Sequence, residues 1–222
     1  MPRRTFDNEL RELHNEFIEM GEMIENAISE SIEAFTKGDA ELARKVSKND
    51  YSVNKLEQEI QSKALNMLLR QQPVARDLRK VSTALKVASD MERIGDQSAD
   101  IADIVLRFAD GQQPVQSVRI DEMAKVATEM VKACVSAFIC DDITLAEKVI
   151  EEDDKLDGLF NNVKNDIVKS LKSADGSDET VNSCIDLLMI AKHFEKIGDH
   201  AVNIAEWTKF CDSGVLNDVR LL

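Results

Sequence analysis

The segment Glu92-Arg93-Ile94-Gly95-Asp96 returns 103 residues later as Glu195-Lys196-Ile197-Gly198-Asp199, and the similarity runs on in both directions without a gap. Laying Met20–Arg107 on Met123–Phe210 gives identity at 19 of 88 positions, against about 6 expected by chance from ordinary composition. The shared residues include Ala34-Phe35 with Ala137-Phe138, Leu42-Ala43 with Leu145-Ala146, Lys45-Val46 with Lys148-Val149, and Ile101-Ala102 with Ile204-Ala205. Most are small or apolar, as a repeated core requires. The shared Glu, Gly and Asp have no packing role of that kind and mark a candidate site. A repeat this long exceeds the roughly 20–50 residues of a solenoid unit, so the pattern is a doubled domain. Residues 1–110 form the first half and 111–222 the second, with a break at Asp110-Gly111-Gln112-Gln113-Pro114.

Three prolines and eight glycines serve 222 residues, aromatic residues make up 5% and charged residues 32%. Such a chain favours long helices over sheets. Six are expected. The first runs from about Phe6 to Thr36, with apolar positions at Leu10, Leu13, Phe17, Met20, Ile24, Ile28, Ile32 and Phe35. Its other side carries Glu9, Glu12, Glu16, Glu19, Glu22 and Glu25, read as a solvated face. Gly38-Asp39 stops this helix and caps the second, which reaches about Arg70, and Pro73 opens a third that ends near Phe108. The second half repeats the layout over about Ile120–Cys140, Asp142–Lys172 and Ser177–Phe210, with Gly176-Ser177-Asp178 as stop and cap. The expected fold is all-α: two tandem up-down-up bundles of three antiparallel helices.

The net charge of −14 is shared by both halves and no basic patch interrupts it, which argues against nucleic-acid binding. No apolar run approaches the roughly 20 residues of a membrane span, and no signal-peptide core follows Met1. A cytoplasmic protein is expected. Cys134, Cys140, Cys184 and Cys211 lack Cys-x-x-Cys spacing and are expected to pack as small hydrophobes. His14 is expected at the surface. No nucleophile–base pair or phosphate-cradling glycine loop is present, so no catalytic residue is nominated.

Glu92, Asp96, Asp100 and Asp103 share one face of the third helix, and Glu195, Asp199, Asn203 and Glu206 occupy the equivalent places. Like charges spaced this way repel by a few tenths of a kcal/mol, so their retention in both copies needs a reason. Gly95 and Gly198 each cost their helix about 1 kcal/mol relative to Ala, which implies close approach by a backbone or a ligand. The middle helices contribute Asp50 and Asn54 in the first half, Asp153 and Asp157 in the second. If these helices lie antiparallel, the oxygens converge. Such an environment suits iron, manganese, magnesium or calcium. His193 and His200 replace Asp90 and Gln97 of the first half, so no histidine ligand is duplicated, and His200 is either a local extra ligand or a surface or capping residue.

With two Glu-x-Ile-Gly-Asp motifs, an Asp-x-x-x-(Asp/Asn)-x-Leu motif in each middle helix and the opening Arg-Arg-x-Phe-Asp-x-Glu-Leu, the chain resembles the PhoU family of phosphate-uptake regulatory proteins over residues 3–210. The resemblance implies two three-helix bundles and no enzymatic activity. It implies partners in a phosphate ABC transporter, through its ATPase subunit, and in a sensor histidine kinase, with peripheral membrane association through them. The implied role is to restrain phosphate uptake and the starvation response, and a homodimer is expected. Some relatives of this kind bind multinuclear iron or zinc clusters. By position, one such site would use Asp50, Asn54, Glu92 and Asp96, and the other Asp153, Asp157, Glu195 and Asp199, with Asp100 and Asn203 as outer ligands. Asn54 departs from the usual Asp, which implies a weaker first site. Two other classes compete. A ferritin-like di-iron oxidase wants Glu-x-x-His motifs, and this chain has none. A plain helical adaptor without metal remains the alternative.

Overall fold

In the computed structural model, residues 2–108, 118–173, 177–216 and 219–220 are described. Helices α1 (Pro2–Lys37), α2 (Ala40–Gln71) and α3 (Ala75–Phe108) build the first bundle, and α4 (Val118–Cys140), α5 (Ile143–Ser173) and α6 (Asp178–Ser213) build the second. A hairpin follows, with β1 (Val215–Leu216) antiparallel to β2 (Val219–Arg220), pairing Val215 with Arg220 and Leu216 with Val219. The expected break at 110–114 lies outside the described residues, as does Gly176.

The helix ends show the doubling in atomic terms. Gly38 and Asp141 are equivalent positions, and both take left-handed φ, +64° and +53°. That backbone lets Asp39 N–H donate to Ala34 O and Asp142 N–H donate to Ala137 O, each at 2.9 Å. The same aspartates then cap the next helix, Asp39 Oδ1 accepting from Leu42 N and Asp142 Oδ1 from Leu145 N, both at 3.0 Å. Ser177 Oγ caps α6 by accepting from Thr180 N. α1 begins at Pro2, four residues before the expected start, with proline at a first-turn position where its missing N–H costs nothing. Pro73 does not open α3. Gln72 closes α2 in a left-handed conformation with its N–H on Leu68 O, Pro73 cannot extend that ladder, and α3 starts at Ala75.

Leu13, Phe17, Met20, Ile24, Ile28 and Phe35 are buried as the spacing required, while Leu10 and Ile32 are partly covered. The acidic side of α1 is only partly a solvated face. Lys63 of α2 donates to Glu12 at 3.1 Å and to Glu16 at 2.6 Å, and Gln71 donates to Glu9. Cys134, Cys184 and Cys211 pack as hydrophobes, but Cys140 is exposed at the end of α4, and His14 is exposed.

The bundles meet mainly along α3 and α6, with a smaller α1–α4 contact. In the latter, Gly21 admits Val135, whose Cγ1 lies 2.7 Å from where a Cβ would stand, and Phe17 meets Phe138 edge-on with centroids 4.8 Å apart. Across α3–α6 the partners are exchanged by an approximate two-fold relation. Asp90 meets His200, the counterpart of Gln97, and Gln97 meets His193, the counterpart of Asp90. The interface is self-complementary, as in a symmetric dimer. No described helix is long and apolar enough to cross a membrane.

Candidate functional site: two acidic patches and the seam between them

Each glycine of the repeated motif faces the aspartate of the adjacent middle helix. A Cβ on Gly95 would stand 3.6 Å from Asp50 Oδ1 and 3.2 Å from Val53 Cγ1. A Cβ on Gly198 would stand 3.6 Å from Asp153 Oδ1 and collide with Leu156 Cδ2. The close approach implied by the glycines is therefore made by side chains of α2 and α5. It seats an aspartate against the Glu-x-Ile-Gly-Asp turn in both halves.

In the first patch Asn54 Nδ2 donates to Asp50 Oδ2 at 3.0 Å, while Asp50 Oδ1 and Asn54 Oδ1 are buried with no hydrogen-bond partner. Burial raises the Asp50 carboxyl above the usual range, and the charge of Asp96 raises it further. Glu92 is raised by burial and then by Asp96, and Asp96 by burial against the opposing charge of Arg93. Arg93 reaches both, 3.6 Å from Glu92 and 3.4 Å from Asp96.

The second patch is more strained. Burial, then the charges of Asp157 and Asp199, push Asp153 up to about 6. Lysines stand where the first half has fewer cations. Lys192 donates to Glu195 at 2.6 Å, and Lys196 contacts Asp199 and, at 3.5 Å, Glu195. Asp157 is exposed.

The fold thus gathers Asp50, Asn54, Glu92 and Asp96 in one half and Asp153, Asp157, Glu195 and Asp199 in the other. Of the outer pair, Asn203 lies on the α3–α6 seam, while Asp100 borders both the seam and the first patch, where its charge raises Asp50 and Asp96. Asn203 Nδ2 donates to Asp90 Oδ1 at 3.1 Å, and Asp100 lies 3.7 Å from His193. His200 also belongs to the seam, with Nδ1 2.9 Å from Asp90 Oδ1. Burial lowers the His193 imidazole below its ordinary value, opposed by Asp100. Glu57 went unnoticed in the sequence. It accepts from Ser89 at 3.3 Å, also receives a bond from Gln61, and lies near Glu92. Its counterpart is Phe160, so the repeat carries no signal for it.

An all-oxygen donor set with unpartnered acceptors and raised carboxyls has the chemistry of a hard-cation site. The side-chain positions do not pre-form a cage. Among the described residues no three His, Cys, Asp or Glu side chains stand close enough to hold one ion.

The family model described as the PhoU domain matches twice, over residues 17–105 and 120–208. A phosphate-specific transport system accessory protein PhoU homolog from Clostridium acetobutylicum is 33% identical, covering 99% of this chain and 100% of its own. The crystal structure of PhoU from Pseudomonas aeruginosa superposes with a TM-score of 0.90 at 26% identity, covering 95% of this chain and 100% of that one. The phosphate transport system regulatory protein PhoU from Streptococcus pneumoniae gives 0.87 at 26% identity, covering 96% and 100%.

Proposed function

The chain belongs to the PhoU family, and from that footing we propose that it regulates phosphate homeostasis by contact, restraining phosphate uptake and the starvation response without catalysis. The observation that carries the reading is the match of both halves to one domain, together with an accessory protein of phosphate transport aligned along nearly the whole chain. Its partners on this reading are the ATPase subunit of a phosphate ABC transporter and a sensor histidine kinase, met from the cytoplasm. Deleting the gene is expected to raise starvation-gene expression in phosphate-rich medium. Unchanged expression would overturn the assignment. A homodimer is part of the proposal, and light scattering at micromolar concentration tests it against the 24.9 kDa of one chain.

The acidic patches serve, on the same reading, to hold iron, manganese or another hard cation once their side chains turn inward. Asp153, Asp157, Glu195 and Asp199 would hold it in the second half, and Asp50, Glu92 and Asp96 with the neutral Asn54 in the first. Fewer anionic ligands should make the first site the weaker. Calorimetric titration of manganese into the parent, Asn54→Asp and Asp157→Asn proteins tests the order. If Asn54→Asp changes neither affinity nor stoichiometry, the first patch is not a metal site.

A further inference from the structure

The two halves differ most where they are otherwise most alike. Around Gly95 the first bundle has a solvent-open cavity of about 460 Å³ between α1, α2 and α3, within the roughly 300–1,000 Å³ typical of small-molecule sites. Ala27 and Val53 form part of its wall. Their counterparts in the second half are Met130 and Leu156, and both reach Gly198, Met130 Cε standing 3.6 Å from where its Cβ would be. Two larger side chains thus occupy in the second bundle the space that the first leaves open.

The lining is selective. Asn26, Asn49 and Ser52 face the cavity, and their counterparts Glu129, Glu152 and Lys155 are of different chemistry. Lys45 is the one basic side chain in the wall, and Glu30 already holds it. Asp50 closes the floor beside Gly95, with Oδ1 shut off from solvent and without a partner. A buried acceptor without a donor is costly. A donor that brings positive charge would meet it with a charge-assisted hydrogen bond. Met23, Val46 and Val53 offer an apolar wall beside it.

We infer that the cavity of the first bundle binds a small organic cation, a primary ammonium on a short alkyl chain, with the ammonium on Asp50 and the amides of Asn26 and Asn49 and the methylenes against Val46 and Val53. The second bundle cannot bind it, because Leu156 and Met130 fill the equivalent space. The ammonium shares Asp50 with the metal proposed for the first patch, so the two would compete for it and the cavity is tested free of metal.

Its test uses the full chain in excess chelator, titrated by calorimetry with 1,4-diaminobutane and, as the uncharged control, 1-butanol. One saturable site per chain is expected for the diamine and none for the alcohol. The filled variant Ala27→Met/Val53→Leu, which copies residues this chain already packs in its second half, should lose at least about tenfold in affinity, as should Asp50→Asn. Circular dichroism and the melting curve establish whether each variant keeps its fold. Should the filled variant fail to fold, methyl spectra of the parent decide: diamine-dependent shifts at Ala27, Val46 and Val53 support the site, and shifts absent there overturn it. No saturable heat, equal binding of the alcohol, full affinity in a folded filled variant, or binding that requires added divalent metal would each overturn it.

Discussion

Asp90 Oδ1 accepts a hydrogen bond from His200 Nδ1 at 2.9 Å, joining α3 to α6 across 110 residues of sequence. Because the carboxylate can only accept, the imidazole proton sits on Nδ1. The mirrored pair, His193 and Gln97, repeats the contact at 2.9 Å, with the imidazole again on α6 and an amide on α3 in place of the carboxylate.

Removing one member of the Asp90–His200 pair leaves the other half-buried with less of its bonding capacity. His200→Ala is expected to cost about 1–2 kcal/mol in urea denaturation. Asp90→Ala combined with it should show coupling above about 0.5 kcal/mol, since the residues share one bond. Strict additivity would mean the contact contributes nothing beyond its neighbours.

Alanine at the two motif glycines should act differently. Replacing a mid-helix glycine gains about 1 kcal/mol of helix propensity. At Gly95 the new Cβ meets Val53 Cγ1 at 3.2 Å, so the gain and the crowding should nearly cancel. At Gly198 it collides with Leu156, which is fully buried and cannot swing away. Gly198→Ala is therefore expected to lose about 1–3 kcal/mol, and adding Leu156→Val should recover part of the loss. The relative midpoints of the two single variants check the order.

Acid should stabilise the metal-free second patch. With its folded value raised to about 6 from 3.8, Asp153 holds a proton that the unfolded chain releases between about pH 4 and 6. The native state binds the extra proton there, so this residue's contribution to stability falls as pH rises through that window and stays low above it. Asp153→Asn should flatten that slope. At pH 8 it should stabilise the chelated protein by about 1–2 kcal/mol, the full shift being trimmed by solvent screening. Denaturation midpoints at pH 4.5 and 8 for both proteins provide the check.

Arg79 caps the end of α6, donating through Nε to Cys211 O at 3.1 Å and through Nη2 to Asp212 O at 3.0 Å. Carbonyls at a helix end lack intrahelical donors, so Arg79→Met should fray the last turn. Faster amide exchange at Ser213 and Gly214, with a loss of about 1 kcal/mol in global stability, is expected. Unchanged exchange would show that Gly214, with its left-handed φ of +75°, closes the helix unaided.

The six helices were legible because apolar spacing and capping chemistry are local. Asp39, Asp142 and Ser177 cap the helices that follow them because a side-chain oxygen two or three residues from a free N–H reaches it in any context. Pro73 misled because Gln72 before it takes the left-handed turn that ends α2, and α3 begins only at Ala75. The Glu side of α1 read as solvated because a one-dimensional pattern cannot show Lys63 arriving from α2.

From the sequence alone came the doubling, the all-α class and the gathering of Asp50 and Asp153 with the acids of the following helix. Helical periodicity places residues on faces, and two mid-helix glycines announce a neighbour that comes close. Tertiary structure decided what lies between residues of different helices. It set Asn203 and His200 on Asp90, with His200 still near enough to Asp96 to oppose the burial that raises its carboxyl, and Asp100 between His193 and the first patch. It also decided that Leu156 and Met130 fill the space beside Gly198 while a cavity stands open beside Gly95. Both depend on the crossing and register of helices far apart in the chain, and no local spacing encodes them.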